Sequence, residues 1–445
     1  MRIFLRAGLI IVPAILAAPA AGAAPPSQQV ISVNPGGTLG AGVAVSKAGL
    51  IYGVTTFQTH SGHIFELVPP HGSNPNWSTH YVKKFGGAPS DGWYPIGQPF
   101  FDPAGALYGL TLYGGATNSG TIYQANHVAH GDPELTDTLL HSFGRADGNG
   151  PDTQPGSLIL GADGVLYGTT IASGQGSNAC GGDCGTVFSL TPPAAGQTAW
   201  TYQTLYRFQG GADGEYPSNP LIQDSSGALY GSTRWGGNGA CRDGHGCGTL
   251  FELVPPAQGG TTWTKTILYT YSAGTQSEGG GPDGGEPSSS LLMDQTGALF
   301  GAATYGGDPN CMVLYGCGVA FKLSPPSGSQ AGWTYSVIFM FENTNHSVTG
   351  VYPNGSLIAG EGGSLLGTTE TGGAGVGGGG GTVFRLSPPN HGGSAWQLQA
   401  LYAFSGDNPN SGVIPQSGLV RNKSGLIGVT SEGGALHGVV YEVTP

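Results

Sequence analysis

The sequence is poor in charged residues, and most of those that it has are acidic. Only 9% of the 445 residues are charged, with 14 Lys and Arg against 26 Asp and Glu and a formal net charge of −12. No run of basic residues occurs, which argues against a protein that binds nucleic acid through its phosphates. The acidic residues are spread thinly along the chain, a distribution that solubility alone explains.

Long apolar runs are also missing, apart from one at the N-terminus. There, Arg2 and Arg6 precede an apolar stretch from Ala7 to Ala18, and small residues follow up to Ala24. This order is typical of a secretory signal peptide, and the stretch is too short to be a good membrane span. We therefore predict a signal peptide at residues 1–24 and an exported protein, secreted or periplasmic, with no membrane span.

Helical periodicity is almost absent as well, and glycine-separated aromatic segments stand in its place. Apolar residues followed by Tyr-Gly or a close relative recur at steps of 56 to 70 residues. The seven occurrences are centred on Tyr52, Tyr108, Tyr167, Tyr230, Phe300, Leu366 and Ile427. Each repeat divides into four strand-like pieces, of which the third usually ends at Pro-Pro. Four strands in each of seven units predict an all-β fold, a seven-bladed β-propeller of four-stranded antiparallel blades.

The two ends of the chain predict how the ring closes. The last repeat stops after three pieces, while an additional strand-like segment at residues 29–33 precedes the first full repeat. That segment can supply the fourth strand of the last blade and so remove the open sheet edges. We predict one domain, a propeller of seven repeats at residues 28–445. An open solenoid is the alternative architecture.

Aromatic residues at a fixed spacing predict how the blades pack. In five repeats a Trp lies seven residues after the second Pro, and an aromatic residue lies eight residues after that Trp. The pairs are Trp77 with Phe85, Trp200 with Phe208, Trp263 with Tyr271, Trp333 with Phe341, and Trp396 with Phe404. Side chains alternate along a strand, so an even step places both on one face. We predict that they pack between neighbouring blades.

Three phrases of the repeat together resemble a known family. They are G-x-L-Y-G-T-T, G-T-V-F-x-L-x-P-P and L-Y-x-F, with Gly-Gly pairs between them. They are similar to the choice-of-anchor tandem repeats known as GloVer repeats, over about residues 40–445. The resemblance implies an exported bacterial repeat protein. It implies no defined activity and no catalytic residues.

The six cysteines lie in pairs, in three loops between second and third strands. The pairs are Cys180 with Cys184, Cys241 with Cys247, and Cys311 with Cys317. An even number of cysteines in an exported protein favours disulfides. The alternative is a metal site, but zinc sites usually combine two closely spaced Cys or His pairs, and these spacings do not match. We predict three disulfides and no metal ligands among the cysteines.

Candidate ligand-binding residues lie in loops that leave the same face of the blades. The second-to-third and fourth-to-first loops share that face in an antiparallel blade, and loops on a rigid scaffold often carry function. The candidates are Tyr94, Tyr113, Tyr216, Arg234, Trp235 and Tyr305. Asp-Gly pairs in the fourth-to-first loops, as at Asp91 and Asp213, are explained by turn formation, although their carboxylates could also hold Ca²⁺. Exposed aromatic side chains with a few hydrogen-bonding groups suit sugar rings.

These features favour a secreted, monomeric recognition module for a glycan or another cell-surface polymer, with no resident cofactor unless Ca²⁺ binds. A hydrolase or lyase on a propeller scaffold and a scaffold for protein contacts are the alternatives. A glycosidase needs a pair of facing carboxylates, and one active site requires residues that break the repeat. The residues that do so are His127, His130, Asp132, Glu370 and Glu432, and they form no recognisable triad. The catalytic residues of such an enzyme are therefore unknown.

Overall fold

The structure is a computed structural model. It describes residues 27–33, 37–57, 61–72, 76–86, 91–126, 135–144, 147, 149–174, 184–237, 241, 244–258, 260–274, 280–311, 313, 315–328, 330–342, 349–373, 379–390, 393–405, 412–433 and 437–444. The predicted signal peptide, Cys180, and the residues His127, His130 and Asp132 lie outside these ranges.

Seven antiparallel sheets, each built around four strand positions, form the blades of a β-propeller, as the repeats predict. Blade 1 contains β2 (Thr38–Val45), β3 (Ile51–Phe57), β4 (Ser61–Val68) and β5 (Ser78–Phe85). Blade 2 contains β6 (Gly92–Phe101), β7 (Leu107–Gly114), β8 (Thr121–Asn126) and β9 (Thr136–Ser142). Blade 3 contains β10 (Asn149–Leu160), β11 (Leu166–Gly174), β12 (Thr186–Thr191) and β13 (Thr201–Arg207). Blade 4 contains β14 (Ile222–Gln223), β15 (Leu229–Thr233), β16 (Thr249–Val254) and β17 (Thr264–Thr270).

The first strand position of the last three blades is divided into two short strands, both paired with the same neighbour. Blade 5 contains β18 (Gly285–Pro287), β19 (Leu292–Met293), β20 (Leu299–Tyr305), β21 (Val319–Ser324) and β22 (Thr334–Met340). Blade 6 contains β23 (Val351–Pro353), β24 (Ile358–Ala359), β25 (Leu365–Thr371), β26 (Thr382–Ser387) and β27 (Gln397–Ala403). Blade 7 contains β28 (Val413–Pro415), β29 (Val420–Arg421), β30 (Leu426–Glu432) and β31 (Val439–Thr444).

The N-terminal strand completes blade 7, which confirms the predicted closure of the ring. Strand β1 (Ser27–Val33) pairs antiparallel with β31, with Ser27 opposite Thr444 and Val33 opposite Val439. The first described strand of the chain and the last one thus share one sheet. Backbone hydrogen bonds join β1 to β31, so β31 is not left as an open edge of the sheet.

The Tyr-Gly signature has a packing explanation. In each blade the glycine lies opposite an aromatic residue of the third strand, and a Cβ on that glycine would overlap the aromatic ring. The pairs are Gly53 with Phe65, Gly109 with Tyr123, Gly168 with Phe188, Gly231 with Phe251, Gly301 with Phe321, Gly367 with Phe384, and Gly428 with Tyr441. The absence of a side chain on the second strand therefore makes room for a ring from the third.

Each of these rings also contacts the preceding blade. The closing aromatic residue of one blade meets the third-strand ring of the next in an edge-on or tilted arrangement, with ring centroids 4.9–6.1 Å apart. The closing residues are Phe85, Phe143, Phe208, Tyr271, Phe341 and Phe404, all at most 1% exposed. At the seventh junction Ile31 of β1 packs in the same cluster as Phe65. We call the seven third-strand rings and these closing residues the interblade aromatic belt.

The repeated Trp residues also pack between blades, as their spacing predicts. Trp263 contacts Tyr167 of the preceding blade, Trp333 contacts Tyr230, and Trp396 contacts Phe300, with ring centroids 6.1–6.2 Å apart. Within the described ranges the chain has no α-helix, and its longer helical elements are the 3-10 turns Gly211–Asp213 and Glu361–Gly363. None of the helices in this part of the chain is both long and apolar enough to cross a membrane.

Candidate functional site

The first strand positions of the blades converge on an axial channel. A cavity of about 180 Å³ in this channel is lined by residues from blades 2 to 7. On the side of blades 2 and 3 its wall includes the apolar Ile96, Leu110 and Leu158, whereas on the side of blades 4 to 7 it includes Asn219 and Asn354. The seven repeats therefore build a channel whose two sides differ in polarity.

A larger cavity of about 360 Å³ adjoins this channel at one mouth, on the side of blades 4 to 6. The two cavities share Ser218, Asn219, Ser288 and Asn354 in their walls. The larger one is further lined by Arg234, Glu286, Pro287, Thr304, Tyr305 and Glu370. We call it the mouth cavity. Its volume lies in the range of small-molecule binding sites, about 300–1,000 Å³.

The mouth cavity lies on the face that the sequence singles out. Arg234, Tyr305 and Glu370 follow or end the second strands of blades 4, 5 and 6, while Glu286 begins the first strand position of blade 5. In blade 4 the two loops of this face are joined directly. The backbone of Trp235 pairs with that of Glu215, and the Arg234 amide donates a hydrogen bond to the Tyr216 carbonyl at 3.0 Å.

A repeated backbone kink places the residues of this face. In five blades the residue before a proline adopts a left-handed conformation, with φ between 49° and 61°. These residues are Tyr94, Tyr216, Glu286, Tyr352 and Ile414. Such a φ is strained for a residue other than glycine, and strain of this kind tends to collect at functional sites. The sequence analysis predicted neither this kink nor the divided first strand of blades 5 to 7.

The cysteine loops brace three of these kinked residues. The second cysteine of each loop uses its carbonyl to accept a hydrogen bond from the kinked residue of the next blade. Cys184 accepts from Tyr216 at 3.1 Å, Cys247 from Glu286 at 2.8 Å, and Cys317 from Tyr352 at 3.0 Å. Each loop of this type therefore fixes the backbone of a residue at the channel mouth rather than only its own conformation.

One ion pair dominates the electrostatics of the mouth cavity. The Nε atom of Arg234 donates to Oε2 of Glu286 at 2.9 Å. The Glu286 side chain is only 5% exposed, whereas that of Arg234 is 44% exposed and lies over the Trp235 ring. The other carboxylate oxygen of Glu286, Oε1, is buried and has no hydrogen-bond partner.

Three tyrosines meet beside this ion pair. The ring of Tyr305 is 5.3 Å from that of Tyr315 and 5.5 Å from that of Tyr352, with interplanar angles of 60° and 78°. Burial, together with the nearby Tyr305 and Glu370, raises the pKa of Tyr352 to about 12. The Tyr352 hydroxyl therefore stays protonated at neutral pH and can donate a hydrogen bond.

A family model described as the Gloeobacter/Verrucomicrobia repeat matches residues 39–315, more than half of the chain. The chain belongs to this repeat family. The family match agrees with the predicted GloVer-type resemblance. No curated protein matches the sequence.

Several solved structures resemble this repeat protein at low identity. A PQQ-bound aldose sugar dehydrogenase from Streptomyces coelicolor is 14% identical, with 96% of this chain and 100% of that chain covered and a TM-score of 0.40. A fungal alcohol oxidase in complex with copper is 12% identical (94% and 76% covered, TM-score 0.48). An ulvan lyase is 10% identical (94% and 96% covered, TM-score 0.47). At this level of similarity these activities carry no conclusion for the present protein.

Two of the six candidate ligand-binding residues, Arg234 and Tyr305, line the mouth cavity of this repeat protein. The other four belong to two aromatic clusters. In blade 2, Tyr113 stacks on Trp93 at 4.3 Å and meets Tyr94 edge-on. The sequence analysis did not select Glu286, Tyr352 and Asn354. Their position before or after the repeated proline was the available signal, but only the structure places Glu286 and Asn354 in the cavity wall and Tyr352 against Tyr305.

The second cluster surrounds Trp235 in blade 4. Its ring lies 4.5 Å from Tyr216 and 5.0 Å from His245, and its Nε1 is buried without a hydrogen-bond partner. The Nδ1 atom of His245 lies 3.4 Å from the buried carboxylate of Glu215. Burial raises the pKa of Glu215, although His245 partly counteracts this shift. Replacing Trp235 would therefore disturb packing as well as any ligand contact.

The acidic residues of the fourth-to-first loops serve turn formation, which was the structural explanation offered for them. In four blades the carboxylate accepts a hydrogen bond from a backbone amide at the start of the loop, at 2.7–3.0 Å. These residues are Asp91, Asp147, Asp213 and Asp283. Among the described residues, no group of three or more His, Cys, Asp or Glu side chains is arranged to hold a metal ion.

Two of the three predicted disulfides are confirmed. Cys241 is bonded to Cys247 and Cys311 to Cys317. Cys184 is also disulfide-bonded, and its predicted partner Cys180 lies outside the described residues. The cysteine loops are therefore covalently closed at the two positions next to Glu286 and Tyr352.

Proposed function

We propose that this protein is an exported recognition module that binds a saccharide chain at the mouth cavity. The observation that carries the proposal is the combination of groups in that one cavity. The ring of Tyr305, the guanidinium of Arg234, the amide of Asn354 and the carboxylate of Glu370 line it together. A few polar groups that fix orientation beside an aromatic surface are typical of small-molecule sites.

The chemistry of these groups suits sugars. A pyranose ring offers an apolar face of C–H groups, which packs on an aromatic ring, and hydroxyl groups at its edge, which both donate and accept hydrogen bonds. Tyr305 provides the ring, Arg234 provides N–H donors, and Glu370 provides acceptor oxygens. Asn354 can do both, and its position in the wall of both cavities connects the mouth to the polar side of the channel.

A third cavity, in addition to the channel and the mouth cavity, supports a ligand with several sugar units rather than a single ring. It has a volume of about 270 Å³, is lined mostly by glycines of blade 5, and includes the side chains of Asp308 and Tyr315. Tyr315 contacts Tyr305, a residue of the mouth cavity, at 5.3 Å. One residue of each cavity therefore contacts the other, and we propose that successive sugar units of one ligand occupy the two cavities.

Export fits the chain in two ways. The N-terminal pattern of Arg2, Arg6 and an apolar stretch is typical of a signal peptide. The disulfides require an oxidising compartment. We propose a monomer in the bacterial periplasm or outside the cell, with residues 28–445 as the recognition domain and no role in nucleic-acid binding.

The test is binding of the purified mature protein to an array of glycans and polysaccharides, with Ca²⁺ or with EDTA. The best saccharide is then titrated against the variants R234M and Y305A. We expect each change to weaken binding by about tenfold or more, as for residues at the centre of an interface. Comparison of the Ca²⁺ and EDTA samples shows whether a metal takes part.

The matched control is Y81A, because Tyr81 is 47% exposed on β5, away from the channel. It should bind like the wild type. Thermal unfolding of all variants checks that they are folded. Saturable binding that survives both R234M and Y305A would contradict the proposed site, and no binding across the array would contradict the proposed function.

A hydrolase or lyase remains the alternative, since Glu286 and Glu370 are two carboxylates in one cavity. Glu286, however, is already paired with Arg234. The bound saccharides from the array experiment are therefore also analysed for shortened products. Their appearance with wild type but not with E370Q would favour the enzyme.

A further inference from the structure

We propose that the mouth cavity selects a saccharide that carries a protonated amine, such as a polymer of unacetylated amino sugars. This proposal rests on the proposed function and names the ligand class for the same site. It follows from the charge of the cavity wall and from the arrangement of tyrosines around Tyr305.

The wall of the mouth cavity has an excess of negative charge. Its charged residues are Arg234, Glu286 and Glu370, which is one positive and two negative groups. The ion pair between Arg234 and Glu286 neutralises the only positive group of the wall. The negative charge of Glu370 is then left over, and an opposite charge on a ligand would complement it.

The ion pair with Arg234 involves only one of the two carboxylate oxygens of Glu286. Its Oε1 atom is buried and has no hydrogen-bond partner, while the whole residue is only 4% exposed. A buried carboxylate oxygen without a donor is electrostatically costly, because the low dielectric of the interior strengthens the uncompensated field. A cation in the adjoining cavity would offset that cost, whereas an anion would increase it.

The tyrosines provide the second element of a cation site. Tyr305 has a ring on two sides, from Tyr315 and from Tyr352, and the rings are steeply inclined to one another. Ring faces attract cations through their quadrupole, and groups of inclined rings are used to bind ammonium groups. Glu370 lines the same cavity as Tyr305, so this carboxylate lies on the side of the cavity that holds the rings.

The positive charge of Arg234 lies on the other side of the cavity from the proposed cation site. It lies over Trp235 of blade 4, with Cζ 5.3 Å from that ring, and its Nε is held by Glu286. The tyrosines and Glu370 belong to blades 5 and 6. The cavity thus has a paired cation on the side of blade 4, and aromatic rings with an acid on the side of blade 6.

The test uses three tetrasaccharides of equal length, which are β-1,4-linked glucosamine, N-acetylglucosamine and glucuronate. Binding to the purified mature protein is measured by calorimetry at one ionic strength and at pH 6, where the amine is protonated. We expect glucosamine tetramer to bind about tenfold more tightly than its acetylated form, and the uronate to bind most weakly. The variant E370Q should lose most of the preference for the amine, because it should weaken the binding of the glucosamine tetramer much more than the binding of the acetylated form.

The control variant is E361Q. Glu361 is exposed in the turn between β24 and β25, in the same blade but on the opposite face, and its removal changes the net charge equally. It should retain the preference. Equal binding of the amine and the acetylated sugar, or a preference for the uronate, would overturn this inference and leave saccharide binding intact. If none of the three sugars and no glycan of the array binds, both proposals fail.

Discussion

The interblade aromatic belt and the channel mouth are built by the same seven repeats. The belt uses the same types of residue in every blade, whereas the residues at the mouth differ from blade to blade. The belt uses a glycine opposite an aromatic ring in every blade. At the mouth, the residue before the repeated proline is Tyr in three blades, Glu in one and Ile in another. Positions that are repeated unchanged build the ring, and positions that vary give one side of its mouth a chemistry that the other side lacks.

The substitution with the largest expected effect breaks the belt. Phe251 is fully buried between Gly231 of its own blade and Phe208 of the preceding one. F251A should lower the free energy of unfolding by about 3–5 kcal/mol, because it leaves a cavity at a blade junction. Urea denaturation measures this. The control M340A, at a side chain that is 38% exposed, should change stability by no more than about 0.5 kcal/mol.

The reverse change, filling the space under the ring, sharpens the same point. In G231A the new Cβ would lie 2.7 Å from Cζ of Phe251 and 2.7 Å from Cδ2 of Leu221. We expect a loss of about 1–3 kcal/mol from overpacking. Gly332 is the matched control, because a Cβ there meets nothing within 4 Å and its backbone is not left-handed. Similar stabilities for G231A and G332A would show that the signature glycine is not explained by packing.

Removal of a disulfide tests how the mouth depends on its loops. The double variant C311S/C317S opens a loop whose ends are six residues apart and should lower the free energy of unfolding by about 2 kcal/mol. It should also weaken saccharide binding, since Cys317 holds the backbone of Tyr352. Calorimetric titration and urea denaturation give both values. Unchanged binding in a folded variant would show that the loop does not position Tyr352.

The smallest expected effect concerns pH and the Trp235 cluster. Burial raises the pKa of Glu215 above its ordinary value of 4.5. A carboxyl group of this kind favours the folded state at low pH and loses that contribution as the pH rises from about 4.5 through its folded pKa. E215Q should therefore gain stability relative to wild type over that window and keep a constant advantage above it. The control E361Q removes an acid that is exposed in a turn. Urea denaturation curves of wild type and E215Q at pH 4 to 8 measure this difference in stability. A difference that does not change with pH would contradict the prediction.

The sequence predicts the closing residues of the belt well because their signal is local and repeated. The fixed step from Trp to an aromatic residue predicts packing between blades without knowledge of the neighbouring blade. The fit of the signature glycine against the third-strand ring is visible only in the structure. The repeat predicts the second and third strands of blade 4 at residues 228–233 and 248–254, and β15 and β16 each begin one residue later. The N-terminal strand follows from counting, since six fourth strands needed a seventh.

The mouth could be predicted only in part. The shared face of the loops and the residues Arg234 and Tyr305 follow from strand alternation. The pairing of Arg234 with Glu286 joins residues 52 positions apart in different blades, and no local pattern reveals it. The left-handed kink before each proline is equally hidden, because bulky residues such as Tyr216 and Tyr352 give no sign of that conformation. Trp235 was selected for its ring, but its neighbours Tyr216 and His245 occupy that ring.

The pairing of β1 with β31 has a consequence for the order of assembly. Strand β1 precedes blade 1 in the chain, whereas its partner β31 follows blade 6. Blades 1 to 6 can pair their own strands, but the ring can close only when β1 meets β31. Until then both strands present unpaired backbone groups, and at this stage such a chain is most prone to pair with a second copy. The meeting of two strands that lie far apart in the chain, and not the folding of any single blade, therefore closes the ring.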